Sequence, residues 1–285
     1  MITVADLVAH LHLKEINATT FEGYSKPVGS PNVFGGQVVA QALNAASRTV
    51  TNRELHSFHS YFLEAGHLEL PIIYNVTMTR DGGSFSVRRV TAEQQGRTIF
   101  ILSSSFQKPE HGHEHQIAME PNIKQPEELM SWSDILSEFG EVMPKKTKGF
   151  LEVERPIEFK PVEIPNPLVR KDLPESTHMW FKIKGDTSAL DFNTRQQLLA
   201  YASDYNILGA VMNRHASKAH WGNTQTASLD HSMWFFRDFD FDDWLLYAME
   251  SPNASGARGF AKGNIFTRDG ILIASVAQEG LIRPL

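Results

Sequence analysis

The sequence predicts an α+β fold made of two tandem repeats, each with a long helix packed on an antiparallel sheet. The chain has 285 residues, a length that accommodates two domains. The same order of predicted elements, a strand, a helix and an antiparallel meander, occurs in both halves. The halves also share short segments: His59-Ser60-Tyr61-Phe62 matches His231-Ser232-Met233-Trp234, Ser84 to Arg88 resembles Ser255 to Arg258, and Gly96 corresponds to Gly270. These matches keep their order and lie 172, about 170 and 174 positions apart, which indicates an internal duplication. A single sheet of about twelve strands is the less favoured alternative.

The first repeat begins with a strand over about 13–24, and Gly35-Gly36 then introduces a helix. Apolar and small side chains recur in this helix at helical spacing, which predicts its burial against a sheet. Four strands follow at about 55–63, 71–80, 84–93 and 98–106, separated by segments with hairpin turn chemistry.

A polar, proline-containing stretch from about 108 to 147 predicts a linker, with a short helix near 132–139. The second repeat then has strands at about 157–164 and 179–184, a helix over about 193–212, and strands at about 226–236, 244–250, 257–267 and 271–282. The sequence therefore predicts an N-terminal domain over 1–110, a linker over 111–150 and a C-terminal domain over 151–285.

The composition argues against several classes of site and partner. The chain contains no cysteine, which excludes disulfides, thiolate metal sites and a cysteine nucleophile and suits a reducing compartment. The net charge is −6, whereas nucleic-acid-binding proteins usually carry a basic surface. There is no P-loop, no dinucleotide-binding glycine motif, no signal-peptide pattern and no apolar run of about 18 residues. We expect a cytoplasmic protein with no cofactor, no metal and no nucleic-acid or membrane partner.

Asp204 is the most informative candidate, because it lies in a predicted helix whose other side chains are largely apolar. A buried carboxylate is unfavourable unless it is hydrogen-bonded or functional, and burial raises its pKa towards the range useful for a general base. The alternative is that Asp204 lies on the wet edge of the helix or accepts from nearby backbone.

Ser228 and Gln278 are further candidates, each on a predicted strand. A serine hydroxyl can orient a water molecule, and an amide can hold water with its oxygen or an oxyanion with its nitrogen. Gln278 and Glu279 should face opposite sides of their strand. Taken alone, Ser228 and Gln278 each fit an ordinary strand residue better than a catalytic one.

Several histidines are weaker candidates for a functional role. His56 and His59 lie three apart on one predicted strand and should therefore face opposite sides of the sheet. His111, His113 and His115 resemble a metal-binding tract, but they lie in the linker without other fixed ligands, which favours a solvated loop. No Gly-x-Ser-x-Gly motif occurs, so a serine hydrolase of that type is not indicated.

Five segments together resemble acyl-CoA thioesterase II of bacteria. They are Val33-Phe-Gly-Gly-Gln-Val-Val, His56-Ser-Phe-His-Ser-Tyr-Phe, Ser84-Phe-Ser-Val-Arg-Arg-Val, Leu229-Asp-His-Ser-Met-Trp-Phe and Ala257-Arg-Gly-Phe. The resemblance covers nearly the whole chain except about 108–155. It implies a double-hotdog fold, hydrolysis of fatty acyl-CoA to free fatty acid and CoA, and a homo-oligomer, either a dimer or a tetramer.

The resemblance also implies the catalytic residues, all in the second repeat. The family's aspartate falls on Asp204, its hydroxyl residue on Ser228, where close relatives often have threonine, and its glutamine on Gln278. The expected mechanism is direct attack by water, with Asp204 as the base and the other two residues fixing that water. Backbone N–H groups near the start of a hotdog helix are the expected oxyanion donors.

The acyl chain is expected between a helix and the sheet, and the residues available to the CoA phosphates are Arg88, Arg89, Arg258 and Lys262. Two other functions are considered. A hotdog enoyl-CoA hydratase pairs its aspartate with a histidine a few residues later, but the five residues after Asp204 include no histidine. A non-catalytic acyl-CoA-binding protein would release no CoA.

Overall fold

Helices and strands follow the predicted order in both halves of the computed structural model, which describes residues 3–164 and 171–285. The first half contains α1 (Val4–Leu11), β1 (Lys14–Asn17), β2 (Thr20–Gly23), α2 (Gly35–Ser47), β3 (Glu54–Phe62), β4 (Ile72–Asp81), β5 (Phe85–Gln94) and β6 (Arg97–Gln107). A 3₁₀ turn (Pro126–Glu128), α3 (Trp132–Phe139) and α4 (Lys145–Leu151) follow. The second half contains β7 (Ile157–Pro161), β8 (Ser176–Ile183), α5 (Phe192–Ser203), α6 (Ile207–Asn213), β9 (Thr224–Ser228), β10 (Asp230–Phe235), β11 (Leu245–Ser255), β12 (Arg258–Thr267) and β13 (Leu272–Pro284).

Within the described residues the strands form one antiparallel sheet of 13 strands, ordered β1-β2-β4-β5-β6-β3-β10-β13-β12-β11-β8-β7, with β9 paired to β13. The equivalent strands β3 and β10 join the two halves, where His59 pairs with Ser232 and Ser60 pairs with His231. Because β3 and β10 are equivalent strands and pair antiparallel, an approximate twofold axis relates the two halves. The two predicted helix-and-sheet units are therefore present, and the less favoured single sheet correctly describes how their strands connect.

The two long helices, α2 and α5, lie side by side and run antiparallel. Asn44, near the end of α2, donates from Nδ2 to Gln197 Oε1, in the middle of α5, at 3.2 Å, whereas Gly36, at the start of α2, contacts Asp204 at the end of α5. Small side chains among the buried residues of α2 favour close packing, namely Ala40, Ala42, Ala45 and Ala46, all inaccessible to solvent.

Arg48 follows α2 directly and closes its C-terminal end. Its guanidinium donates to the carbonyl of Leu13 at 2.6 Å and forms an ion pair with Glu15, also at 2.6 Å. A cation at the end of a helix interacts favourably with the helix dipole. Arg48 thus connects the C-terminal end of α2 to the first residues after α1.

The predicted strand over 13–24 is wrong in one respect, because the segment folds back as the hairpin of β1 and β2. The turn is made by Asn17, whose Oδ1 accepts from the backbone N–H of Thr19 at 3.0 Å. Asparagine favours such turns because its side chain replaces a backbone acceptor.

Two further predicted elements are each interrupted. The helix expected over 193–212 is divided into α5 and α6 at Asp204–Asn206, where Asn206 has a left-handed φ of 70°. The strand expected over 226–236 is divided into β9 and β10 at Leu229, whose N–H donates to the carbonyl of Glu279. Asp204 is therefore the residue that ends α5, not a residue inside a helix.

The prediction that His56 and His59 face opposite sides of the sheet is wrong. β3 has an irregular register between Leu55 and Ser57, and such a bulge shifts the alternation of side chains. His56 bonds Ser105 at 2.8 Å and His59 bonds Ser232 at 3.1 Å. Both histidines therefore lie on the outer face of the sheet.

Of the three short helices α1, α3 and α4, the sequence predicted only α3. The predicted helix near 132–139 is confirmed by α3, whose N-terminus has a capping box between Ser131 and Asp134. A similar capping box at Thr3 begins the unpredicted α1, and α4 was also not predicted.

The stretch after β6 packs on the outer face of the second half's sheet. Trp180 is fully buried there in a cluster with Leu246, Phe266 and Leu272, and Met119, Ile123 and Leu129 pack against this cluster. The indole N–H of Trp180 donates to the carbonyl of Lys124 at 2.8 Å. We call residues 116–129 the strap.

In the described parts of the chain, no helix combines the length and the apolar character needed to cross a membrane.

Candidate active site

Asp204 lies where the end of α5 meets the start of α2. Its Oδ2 atom accepts from the backbone N–H of Gly36, in the first turn of α2, at 2.7 Å. The residue as a whole is partly exposed, but its Oδ1 atom is buried and has no hydrogen-bond partner. One carboxylate oxygen is thus anchored, and the other is available for a new partner.

The Gly35-Gly36 pair permits this approach. A Cβ atom at Gly35 would lie 2.8 Å from Asp204 Oδ2 and 3.0 Å from the ring of Phe62. A Cβ atom at Gly36 would lie 2.5 Å from the carbonyl oxygen of Tyr201. Since real Cβ contacts are longer than this, any larger residue would push α2 away from the carboxylate.

Burial raises the pKa of Asp204 above its ordinary value, because the charged form loses contact with water. The nearby imidazole of His231, the N–H of Gly36 and the nearby amide of Gln278 act on this pKa in the opposite direction. A raised carboxyl pKa brings the group closer to the range of a general base at neutral pH.

Ser228 and Gln278 are directly bonded to each other. Gln278 is almost fully buried on β13, and its Nε2 donates to Ser228 Oγ at 2.8 Å. The interruption at Leu229 lets β13 pair with both β9 and β10, and this places Ser228, the last residue of β9, opposite Gly280. Since Gln278 also acts on Asp204, the structure brings the three predicted residues into one neighbourhood.

Glu279 confirms the predicted alternation on β13. Its side chain lies on the outer face, where it forms an ion pair with Arg258 at 3.0 Å, while Gln278 points inwards. Consecutive residues of a strand face opposite sides of the sheet, and here only one of the two faces the interior.

His231 belongs to the same network and was not predicted as a site residue. It is fully buried on β10, and its Nδ1 atom contacts Gln278 Oε1. The sequence contained only part of the signal, because the alternation of His231 with the apolar Met233 and Phe235 indicates that His231 is buried, as it is on β10.

The residues proposed for CoA phosphates are largely engaged elsewhere. Arg88 is buried and donates to Asp81, at 2.8 Å, and to the carbonyl of Thr49, at 3.0 Å, so its expected role is wrong. Arg258 pairs with Glu279, and Lys262 pairs with Glu250 at 2.7 Å. The expected oxyanion donor at a helix start also has a different partner, since the Gly36 N–H donates to Asp204.

No group of three or more histidine, aspartate or glutamate side chains suited to a metal ion occurs among residues 3–164 and 171–285. The tract of His111, His113 and His115 lies exposed in the stretch after β6.

Comparison with known proteins gives consistent matches over both halves. Residues 147–281 match a family model described as acyl-CoA thioesterase, and residues 22–107 match the model of an acyl-CoA thioesterase N-terminal domain. Acyl-CoA thioesterase 2 of Haemophilus influenzae is 42% identical over 279 residues, which cover 98% of this chain and 97% of that protein. Human acyl-coenzyme A thioesterase 8 is 38% identical, over 96% of this chain and 87% of its own length.

Solved structures confirm the predicted fold. An acyl-CoA thioesterase II from Mycobacterium marinum superposes with a TM-score of 0.78 and 34% identity, over 98% of both chains. A protein from Alicyclobacillus acidocaldarius described as having a hot dog fold superposes with a TM-score of 0.77 at 15% identity, over 98% of both chains. The second match concerns the fold alone, and it agrees with the predicted double hotdog.

Proposed function

Because the chain belongs to the acyl-CoA thioesterase II family and is an acyl-CoA hydrolase, we propose that it cleaves fatty acyl-CoA by direct attack of water activated by Asp204. The observation that supports this most is the asymmetry of the Asp204 carboxylate. Oδ2 is held by Gly36, whereas Oδ1 is buried and unpartnered. Oδ1 is therefore the atom that accepts a hydrogen bond, and then a proton, from the attacking water.

The reaction proceeds without a covalent enzyme intermediate. Water forms the new C–O bond to the thioester carbonyl while Asp204 takes one of its protons. The C–S bond then breaks, the electron pair leaves with sulfur, and the proton held by Asp204 is returned to the departing thiolate. Since a thiol has a pKa of about 8.5, thiolate is a good leaving group and a strong protein nucleophile is not required.

Ser228 and Gln278 position the water. Their mutual hydrogen bond fixes both side chains relative to the sheet, and the Gln278 amide also lies near Asp204. Holding a reactant within a fraction of an ångström of its reactive position is a large part of enzymatic rate enhancement. Ser228→Thr retains the hydroxyl and should preserve activity, whereas Ser228→Ala should lower kcat.

The decisive experiment is Asp204→Asn with release of free CoA followed by a thiol reagent. The chain has no cysteine, so the protein adds no background signal. Loss of a general base lowers the rate by about 10²–10⁴-fold, and we expect kcat to fall in that range. Turnover within a few-fold of the wild type would exclude Asp204 as the base.

Enoyl-CoA hydration is the competing reaction, because His231 supplies a histidine near Asp204 from a different strand. Both ring nitrogens of His231 are already engaged, by Gln278 and Ser203, which leaves neither for a substrate. Loss of the conjugated enoyl absorbance without CoA release would favour hydration. Tight acyl-CoA binding with neither change would favour a binding protein.

We also propose a cytoplasmic location, a homo-oligomer of two or four chains, and a division into domains 1–110 and 151–285 joined by a linker at 111–150. A cysteine-free chain is compatible with a reducing compartment. Cell fractionation tests the location, and sedimentation of the 32.1 kDa chain distinguishes a monomer from a dimer or tetramer.

A further inference from the structure

His231 is a buried, titratable side chain to which the mechanism above assigns no task. It is inaccessible to solvent, and its ring stacks on Phe58 with centroids 5.8 Å apart and planes 17° apart. Its backbone oxygen accepts from Ser60 Oγ at 2.7 Å. Both contacts come from β3, so the central pairing of β3 with β10 fixes the ring in place.

The two ring nitrogens connect two parts of the site. Nδ1 contacts Gln278 Oε1, and Nε2 lies 2.9 Å from the hydroxyl of Ser203. Ser203 is the residue directly before Asp204, and its hydroxyl lies 2.9 Å from both Nε2 and the carbonyl of Ala200. In the tautomer that carries its proton on Nδ1, Nε2 accepts the one hydrogen of this hydroxyl. The imidazole therefore links the amide of Gln278 to the end of α5.

The orientation of the Gln278 amide decides what that side chain can do. Its two ends have nearly the same shape, but Oε1 only accepts hydrogen bonds and Nε2 only donates them. Ser228 cannot select between the two ends, because a hydroxyl both donates and accepts. If the amide were reversed, its oxygen would face Asp204 and repel the carboxylate and the lone pairs of a bound water.

The Nδ1–H of His231 selects which end of the Gln278 amide faces the imidazole. A donor at this position is satisfied only by the oxygen end of the amide, and a buried donor without an acceptor is unfavourable. With Oε1 held by His231, Nε2 faces Ser228 and the neighbourhood of Asp204.

We propose that His231 is a positioning residue for the thioesterase reaction, which holds the Gln278 amide in the one orientation that presents its nitrogen to Ser228 and the attacking water. The proposal rests on the roles proposed for Asp204 and Gln278. His231 is inaccessible to solvent and acts through Gln278.

Two substitutions of similar size separate this role from simple packing. The amide nitrogen of His231→Asn occupies the place of Nδ1 and keeps the donor to Gln278, whereas that of His231→Gln occupies the place of Nε2 and loses it. We expect H231Q to lower kcat by about 10²-fold with a much smaller change in KM, as a misplaced reactive group does. H231N should retain kcat within a few-fold.

A matched control is available in the same chain. His10 Nε2 bonds Gln37 Oε1 at 2.9 Å, a second histidine–glutamine pair, formed by α1 and α2 outside the network of Gln278. His10→Asn should leave kcat unchanged. Thermal unfolding of all three variants shows how much of any effect is due to stability.

A double-mutant cycle completes the test. If His231 acts through Gln278, then H231Q should cause no further loss of kcat in a Gln278→Ala background. Equal losses in H231N and H231Q, or additive losses with Q278A, would overturn the positioning role. Asp204→Asn is assayed alongside, and an active D204N would reject the proposed base whatever the outcome of the cycle.

Discussion

At the scale of single residues, the surroundings of the two Asp204 oxygens determine what the carboxylate can do. Oδ2 accepts from Gly36 at the N-terminal end of α2, where the helix dipole favours a negative charge. Oδ1 is buried and has no hydrogen-bond partner. The carboxylate is thus held in place by one oxygen while the other keeps its capacity to accept a proton.

Gly35→Ala should disable the enzyme while leaving it folded. The added methyl group would lie 2.8 Å from Asp204 Oδ2 and would move the carboxylate, so we expect kcat to fall by about 10²-fold. Gly209→Ala in α6 is the control, because a Cβ there meets nothing within 4 Å. Steady-state kinetics check both variants, and equal kcat values for G35A and the wild type would contradict the described contact.

The raised pKa of Asp204 predicts a pH-dependent effect on stability. Because the folded state raises this pKa above the unfolded value of about 3.9, the folded chain binds the proton more tightly than the unfolded chain. The ionised carboxylate therefore destabilises the folded state increasingly as the pH rises through the raised pKa. Asp204→Asn should unfold at a higher temperature than the wild type at neutral pH, and this difference should shrink as the pH is lowered. A lower melting temperature at neutral pH would show that ionisation stabilises the fold.

At the scale of secondary structure, two interruptions place the site residues. α5 and α6 are separated at Asp204–Asn206, and β9 and β10 are separated at Leu229. Each interruption releases one candidate site residue, Asp204 or Ser228, from a continuous element. The sequence predicted the elements but not the interruptions, since the apolar spacing continues through both. The only local indication was Asn206, because asparagine adopts a positive φ more readily than other non-glycine residues.

Asn206 offers a direct test of the break between α5 and α6. Its φ of 70° is strained for most residues but not for glycine. Asn206→Ala should lower the free energy of unfolding by roughly 1–2 kcal/mol, whereas Asn206→Gly should lower it less. Urea denaturation of both variants measures the difference. Equal stabilities would mean that the left-handed conformation is not required.

At the scale of the whole molecule, the site is shared between the halves. The second half supplies Asp204, Ser228 and Gln278, and the first half supplies Gly36. The duplication, the α+β class and the three candidate residues were available from the sequence and from a family resemblance. The joining of the sheets at β3 and β10 was not, because pairing between distant strands leaves no local pattern. His231 was missed for a related reason, since its importance depends on which strand lies beside β10.

The strap should stabilise the molecule without affecting catalysis. Trp180 lies on the opposite face of the sheet from Asp204, because its neighbours Met179 and Phe181 point into the main core. Trp180→Phe leaves the carbonyl of Lys124 without its donor, and we expect a loss of about 1–3 kcal/mol in the free energy of unfolding. Proteolysis within the strap should accelerate while kcat/KM stays unchanged.

Trp244→Phe is the control for that experiment, since it keeps an aromatic ring beneath the Lys160 ammonium. A fall in kcat/KM for Trp180→Phe, at a temperature where the variant is fully folded, would show that packing of the strap affects the active site.

The approximate symmetry of the two long helices predicts one catalytic site per polypeptide. Asp204 directly follows α5, and the corresponding residue directly after α2 is Arg48, a cation already committed to Leu13 and Glu15. The equivalent position in the first half thus carries a cation in place of the acid, and the carboxylate beside it, Glu15, is paired with that cation. Titration with a tight, non-hydrolysable substrate analogue should consequently saturate at one equivalent per polypeptide, whatever number of polypeptides assemble.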